Sequence, residues 1–186
     1  GPLESGEVAV QEVEVAAERV KDIDPDCAVT TYQIFFLPDT KDQFDFTQYD
    51  YVVDAIDTVT AKLLLIQCAK EAGVPVISAM GAGNKLDPTK FVVCDLFETQ
   101  FDGLARVMRK ECRKRGIESL KVVYSEEVSM TPLSLPSEET DGTSPNETPK
   151  RRKDTPGSIA FVPSVAGLVL AGEVVKDLTG VTNSEI

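Results

Sequence analysis

Apolar residues change period several times along the chain, and each change marks an element. Between Glu7 and Asp24, the residues Ala9, Val13, Ala16, Val20 and Ile23 recur at alternating four- and three-residue steps, which predicts an amphipathic helix ended by Pro25. Residues 27–36 are rich in β-branched and aromatic side chains and predict a strand. A polar connector leads to Tyr51-Val52-Val53-Asp54-Ala55-Ile56-Asp57, a short apolar run closing on an acid, as a buried parallel strand does. A helix follows over 58–73, with Gly73 placed to stop it. Further strands are predicted over 74–80, 91–96 and 120–125, with a helix over 101–115 stopped by Gly116. Near the end, 157–186 reads as a strand and an apolar helix over 164–178, in which Gly167 and Gly172 would permit close backbone approach.

Strands alternating with helices over short crossovers predict an α/β fold with a Rossmann-like, mainly parallel sheet and helices on both faces. Ligands of such sheets sit beyond the carboxyl ends of the strands. Residues 1–6 read as a cloning scar, 7–128 as the body of the domain, and 129–156 as a mobile polar loop of Pro, Ser, Thr, Glu and Asp. The 157–186 segment completes the same domain.

Composition narrows the chemistry. The hydrophobic share of 42% and charged share of 27% are those of a folded domain. The chain has no histidine, which excludes Ser-His and Cys-His nucleophile pairs and imidazole metal ligands within it. Cys27, Cys68, Cys94 and Cys112 form no C-x-x-C pair and read as reduced core thiols, so no zinc is expected. A formal net charge of −12 argues against indiscriminate nucleic-acid binding but leaves room for a local basic patch. No membrane span or signal peptide is visible, and the cytoplasm is the expected location.

Asp57 is the most informative candidate, standing where a parallel strand ends and a helix begins. Two readings compete: an N-cap for the following helix, and a Mg²⁺ or nucleotide-phosphate ligand. Lys62, one turn on, is a solvated surface lysine or a contributor of charge to the same site. Gly81-Ala82-Gly83 matches only half of G-x-G-x-x-G and reads as a tight turn at the ligand edge of the sheet. No complete dinucleotide fingerprint or phosphate loop occurs among the twelve glycines. On the 101–115 helix, Arg106, Arg109, Lys110, Arg113 and Lys114 share one face, opposite Leu104, Val107, Met108 and Cys112. That face is a solvated surface or a phosphate-backbone contact, which Arg151 and Arg152, within Lys150-Arg151-Arg152-Lys153, would join.

Several stretches together carry a family likeness. They are 13–20 with Ile23-Asp24-Pro25; Asp54-Ala55-Ile56-Asp57; Gly81-Ala82-Gly83 with Leu86-Asp87-Pro88; Asp95-Leu96 with Asp102-Gly103-Leu104-Ala105; and 157–167. In these the chain resembles the tRNA threonylcarbamoyladenosine dehydratases, a branch of the ubiquitin-activating-enzyme-like superfamily that includes MoeB, ThiF and HesA. The resemblance implies ATP-dependent adenylation and ring closure of the threonylcarbamoyl group on a tRNA adenosine, with ATP and Mg²⁺ as cofactors and Asp57 at the ATP and Mg²⁺ site. It also implies a tRNA partner and a homodimer. Family members open with a strand, a glycine-rich turn and a helix, then an acidic ribose ligand and phosphate-facing arginine and lysine. This chain starts after them, so the expected fold lacks the first β-α unit and ATP affinity is expected to be poor. Where some dehydratases carry a cysteine before the last helix, the matching region holds Ser158. The alternatives are a sulfur-carrier adenylyltransferase of the MoeB or ThiF type, with a sulfur-relay protein as partner, or a non-catalytic dimerisation or partner-binding fragment.

Overall fold

The computed structural model describes residues 5–131 and 156–181. The chain divides into two compact units, Gly1–Phe44 and Asp45–Ile186.

The first unit holds helix α1, Ser5–Ile23, followed by irregular chain. The strand expected over 27–36 does not form. A strand needs a neighbour to complete its ladder and a face to bury, whereas no side chain among residues 12–44 is fully buried. The β-prone residues are held instead by aromatic contacts, with the Phe44 ring 4.7 Å from Tyr32 and 5.5 Å from Phe36. The Thr40 hydroxyl adds a local clasp by donating to the Phe35 carbonyl at 2.6 Å.

The second unit contains β1 (Val52–Asp54), α2 (Val59–Glu71), β2 (Val76–Ala79), β3 (Phe91–Asp95), α3 (Gly103–Lys114), β4 (Lys121–Ser125) and α4 (Phe161–Thr179). Its strands form one sheet in the order β1-β2-β4-β3. The β1–β2 and β2–β4 pairs are parallel, in the registers Val53↔Ile77 and Ser78↔Val122, so the carboxyl ends of these three strands share one edge. The exception is β3, antiparallel to β4. Residues 80–90 between β2 and β3 contain only a short 3₁₀ turn, Pro88–Lys90, and no crossover helix that would return the chain for a parallel strand.

Helices cover both faces. On one, α4 packs Leu170 against Ile77 and Val123, and Tyr51, Phe91 and Val93 extend this core. Tyr51 donates to Asp177 at 2.6 Å and Lys121 reaches the same carboxylate at 2.7 Å, fixing α4 to the sheet. The Lys121 ammonium holds the Asp177 carboxyl below the usual range, while burial and Asp177 push the Tyr51 phenol up. On the other face, α2 packs on β1 and β2 and α3 packs on α2, burying Ile66, Ala69, Ala105, Met108 and Cys112.

Several expectations change here. Residues 157–159 are irregular rather than a strand, and α4 starts at Phe161, earlier than expected. Pro163 is tolerated because the first turn of a helix has no use for its missing N–H. Gly167 and Gly172 meet no close neighbour, so the expected backbone approach is not seen among the described residues. Of the thiols only Cys112 is fully buried, and Cys27 is exposed. As expected, Gly73 and Gly116 follow α2 and α3 with φ of +71° and +68°, the left-handed conformation of a helix stop. Residues 1–4, most of the 129–156 loop, and Lys150-Arg151-Arg152-Lys153 lie outside the described residues, whereas Ser5 and Gly6 begin α1.

Candidate functional site

Beyond the carboxyl ends of β1 and β2 lies a cavity of about 730 Å³. Ala55, Ile56 and Asp57 form one side, and the chain leaving β2, through Gly81-Ala82-Gly83, forms another. Leu104 from the first turn of α3, a strap at Pro156-Gly157-Ser158, and Pro163, Ala166, Gly167 and Leu170 from α4 complete the wall. The opening results from topology: the parallel strands β1 and β2 end together at one edge, and the connections leaving them part, that of β1 into α2 and that of β2 through residues 80–90 to β3.

Asp57 is exposed on this rim, directly before α2. Among the described residues its carboxylate makes no hydrogen bond or ion pair. The capping reading is therefore not what the structure shows. The N-cap of α2 is Thr58, which makes no side-chain cap bond either. The neighbouring aspartates behave otherwise. Asp45, Asp87, Asp95 and Asp102 each accept a backbone N–H at the start of a helix or 3₁₀ turn. Asp57, one residue ahead of the Thr58 N-cap, has no such role.

Behind it, Asp54 and Lys62 are both buried. Lys62 Nζ lies 2.9 Å from Asp54 Oδ2, and the Ser78 hydroxyl donates to the same oxygen at 2.5 Å. The expectation of a solvated Lys62 is overturned. Its stem lies on the sheet-facing side of α2, and the ammonium meets the carboxylate that β1 directs at it. The other carboxylate oxygen accepts Ile56 N–H at 3.1 Å. Asp54 thus joins sheet, helix and the turn that presents Asp57.

A second buried pair lies behind the Gly81 turn of the cavity wall. Lys85 Nζ donates to Asp102 Oδ2 at 3.0 Å and to the Gly81 carbonyl at 2.8 Å. Asp102 Oδ1 accepts Ala105 N–H at 2.7 Å, so one carboxylate caps α3 and neutralises the lysine that holds the Gly81 turn. The approach to Gly81 is close, since a Cβ there would lie 3.2 Å from Asp102 Oδ2 and the buried carboxylate would have to give by a few tenths of an ångström. The sequence assigns no individual role to Asp54, Ser78, Lys85 or Asp102, although Asp54 and Asp102 fall within the stretches that carry the family likeness. The available signals were Asp54 three residues before Asp57 and a lysine inside a glycine-rich turn.

A family model described as ThiF family matches residues 4–186. The chain belongs to the ThiF family. It is similar to the tRNA threonylcarbamoyladenosine dehydratase of Bacillus subtilis (strain 168), with 38% identity over 173 residues that make up 92% of this chain and 67% of that protein. The enzyme of the same name from Escherichia coli (strain K12) is 32% identical over 186 residues, again 92% of this chain and 67% of the relative. Among solved structures, E. coli TcdA, a tRNA N6-threonylcarbamoyladenosine dehydratase in complex with AMP, matches with a TM-score of 0.74 and 29% identity over 90% of this chain and 64% of that one. Its complex with ATP gives a TM-score of 0.72 at 28% identity. The chain therefore spans about two thirds of the length of these relatives.

In this ThiF-family chain the basic face of α3 is less uniform than its sequence suggests. Arg109 is half-buried and donates to the Thr99 carbonyl at 2.8 Å and to its hydroxyl. The Arg113 guanidinium lies 5.1 Å from the centre of the Phe97 ring. Lys114 and Arg115 pair with Glu111, which holds that carboxyl down to about 2. Arg106 and Lys110 are exposed and make no ion pair among the described residues. Val107, expected on the packed face, is exposed. Ser158 is exposed and lines the cavity.

Proposed function

We propose that this ThiF-family protein adenylates the carboxylate of the threonylcarbamoyl group on a tRNA adenosine with ATP, releasing pyrophosphate, after which internal attack closes a ring and releases AMP. The observation that carries this reading is the uncommitted Asp57 carboxylate on the rim of the cavity, at the strand edge where α/β sheets bind ligands. The kinship with dehydratases, one of them solved with AMP and with ATP, supports the same assignment.

The donor set fits Mg²⁺ held jointly with a nucleotide. Among the described residues no three His, Cys, Asp or Glu side chains gather to enclose a metal. Mg²⁺ keeps several waters and commonly takes one or two carboxylates together with substrate phosphates. Asp57 would be its protein ligand, and the bound ion would offset charge on the phosphoryl oxygens. Lys62 would not reach the phosphates, because its ammonium is spent on Asp54. Its part is to hold Asp54, and through the Ile56 N–H the 55–57 turn, in place, so that Asp57 meets the ligand without rearrangement. Attack of a carboxylate on phosphorus needs no imidazole base, in keeping with a chain that has no histidine.

Arg106 and Lys110 are the α3 side chains best placed to meet a tRNA backbone. A homodimer and a cytoplasmic location complete the proposal. Nucleoside analysis of tRNA from cells lacking the protein tests it. The cyclic form of threonylcarbamoyladenosine should vanish and the open form accumulate. An unchanged ratio would exclude the reaction.

A further inference from the structure

Asn84 has a φ of +58°, a left-handed backbone that asparagine tolerates better than most residues. This conformation turns three polar groups toward chain segments remote in sequence. The Asn84 backbone N–H donates to the Gly157 carbonyl at 2.8 Å, and Gly157 N–H donates to Asn84 Oδ1 at 2.6 Å. Met130 N–H donates to the Asn84 carbonyl at 2.8 Å. The residue before it takes part as well, since a Cβ on Gly83 would lie 2.9 Å from the Pro156 side chain. On its other side Lys85 ties the turn to Gly81, Asp102 and, at 3.4 Å, the Ser125 carbonyl. Leu86 and Asp87 N–H groups both donate to the Glu127 carboxylate.

We propose that Asn84 is a positioning residue of the cavity: its side-chain oxygen and left-handed backbone clamp the Pro156-Gly157-Ser158 strap into place as the wall facing the substrate. The strap lies directly before α4 and contributes three consecutive residues to the cavity lining. Among the described residues no other hydrogen bond reaches it. Pro156 has no N–H to donate, and residues 156–160 are all exposed. Lys85 makes the clamp firm from behind, because the turn that grips the strap is itself tied to the start of α3 by a buried ion pair and to β4 by a hydrogen bond to the Ser125 carbonyl.

The ligand-facing half of this proposal rests on the function proposed above; the mechanical half does not. Asn84→Gly keeps the left-handed backbone without strain and removes only the Oδ1 acceptor. Asn84→Asp keeps an oxygen in the same place. Hydrogen exchange of the Gly157 amide should speed up about tenfold in Asn84→Gly, the loss expected for one hydrogen bond, and return to within about twofold of wild type in Asn84→Asp. Amides of β2 and β4 should be unchanged in both. Gly157 exchange that is unaffected by Asn84→Gly, or not restored by Asn84→Asp, overturns the clamp. In the turnover assay of the intact enzyme, Asn84→Gly should raise KM for the tRNA substrate while leaving kcat within about twofold, with Asn84→Asp restoring KM. A fall in kcat at unchanged KM would contradict a positioning role. Wild-type protein without turnover would defeat the proposed reaction, while the exchange result would still decide the clamp.

Discussion

The cavity rim and the outer face of α3 carry similar side chains to opposite ends. On α3, a run of cations that looks like a binding surface is partly consumed locally: Arg109 on Thr99, Arg113 on Phe97, Lys114 and Arg115 on Glu111. At the rim, two lysines that look like ordinary surface residues are buried on Asp54 and Asp102. Among the described residues that line the cavity Asp57 is the one carboxylate, and it makes no hydrogen bond or ion pair. Charge count along a sequence is thus a poor guide to available charge. What matters is which groups the fold has already paired.

Breaking the rim pairs should have the largest effects. Asp54→Ala would strand the Lys62 ammonium in the interior, at a cost of about 3–5 kcal/mol by urea unfolding. The double variant Asp54→Leu with Lys62→Met should recover most of that loss, because it removes both charges together. If the single variant costs less than about 1 kcal/mol, the buried pair is not as described. Lys85→Met should cost about 3 kcal/mol, since Asp102 keeps the Ala105 N–H but loses its cation.

Effects on α3 should be smaller and should divide its basic residues. Arg109→Ala removes hydrogen bonds to Thr99 and should cost about 1 kcal/mol. Arg106→Ala and Lys110→Ala should stay within about 0.5 kcal/mol of wild type. On the proposed function, these two should instead weaken tRNA binding and flatten its dependence on salt. Equal stability losses at all three positions would erase the distinction. The smallest effect concerns pH. The Lys114 and Arg115 side chains hold Glu111 down to about 2 from its ordinary 4.5, so its pairing favours the folded state above about 4.5 and fades as pH falls toward 2. Acid unfolding of Glu111→Gln should lack that contribution, with its stability difference from wild type shrinking as pH drops through this window.

Much of the second unit was legible in the sequence because period and punctuation agree there. Strands 52–54, 76–79, 91–95 and 121–125 fall inside their predicted runs, and Gly73 and Gly116 end helices as their conformations require. The 27–36 segment has strand-forming residues but no ladder partner, which composition alone does not reveal. The direction of β3 was hidden because it depends on the missing crossover between 80 and 90 rather than on the residues of the strand itself. At the site, the position of Asp57 could be read from the strand-to-helix transition. The burial of Lys62 could not. A lysine one turn into a helix looks the same whether or not a strand aims an aspartate at it, and that meeting is tertiary.

Replacing Asp57 by Asn in the host and following tRNA nucleosides and protein abundance together tests the central contrast most directly. The account predicts loss of cyclic threonylcarbamoyladenosine with protein abundance and unfolding midpoint unchanged, because Asp57 supports no described contact. A normal proportion of the cyclic nucleoside at normal abundance would contradict it.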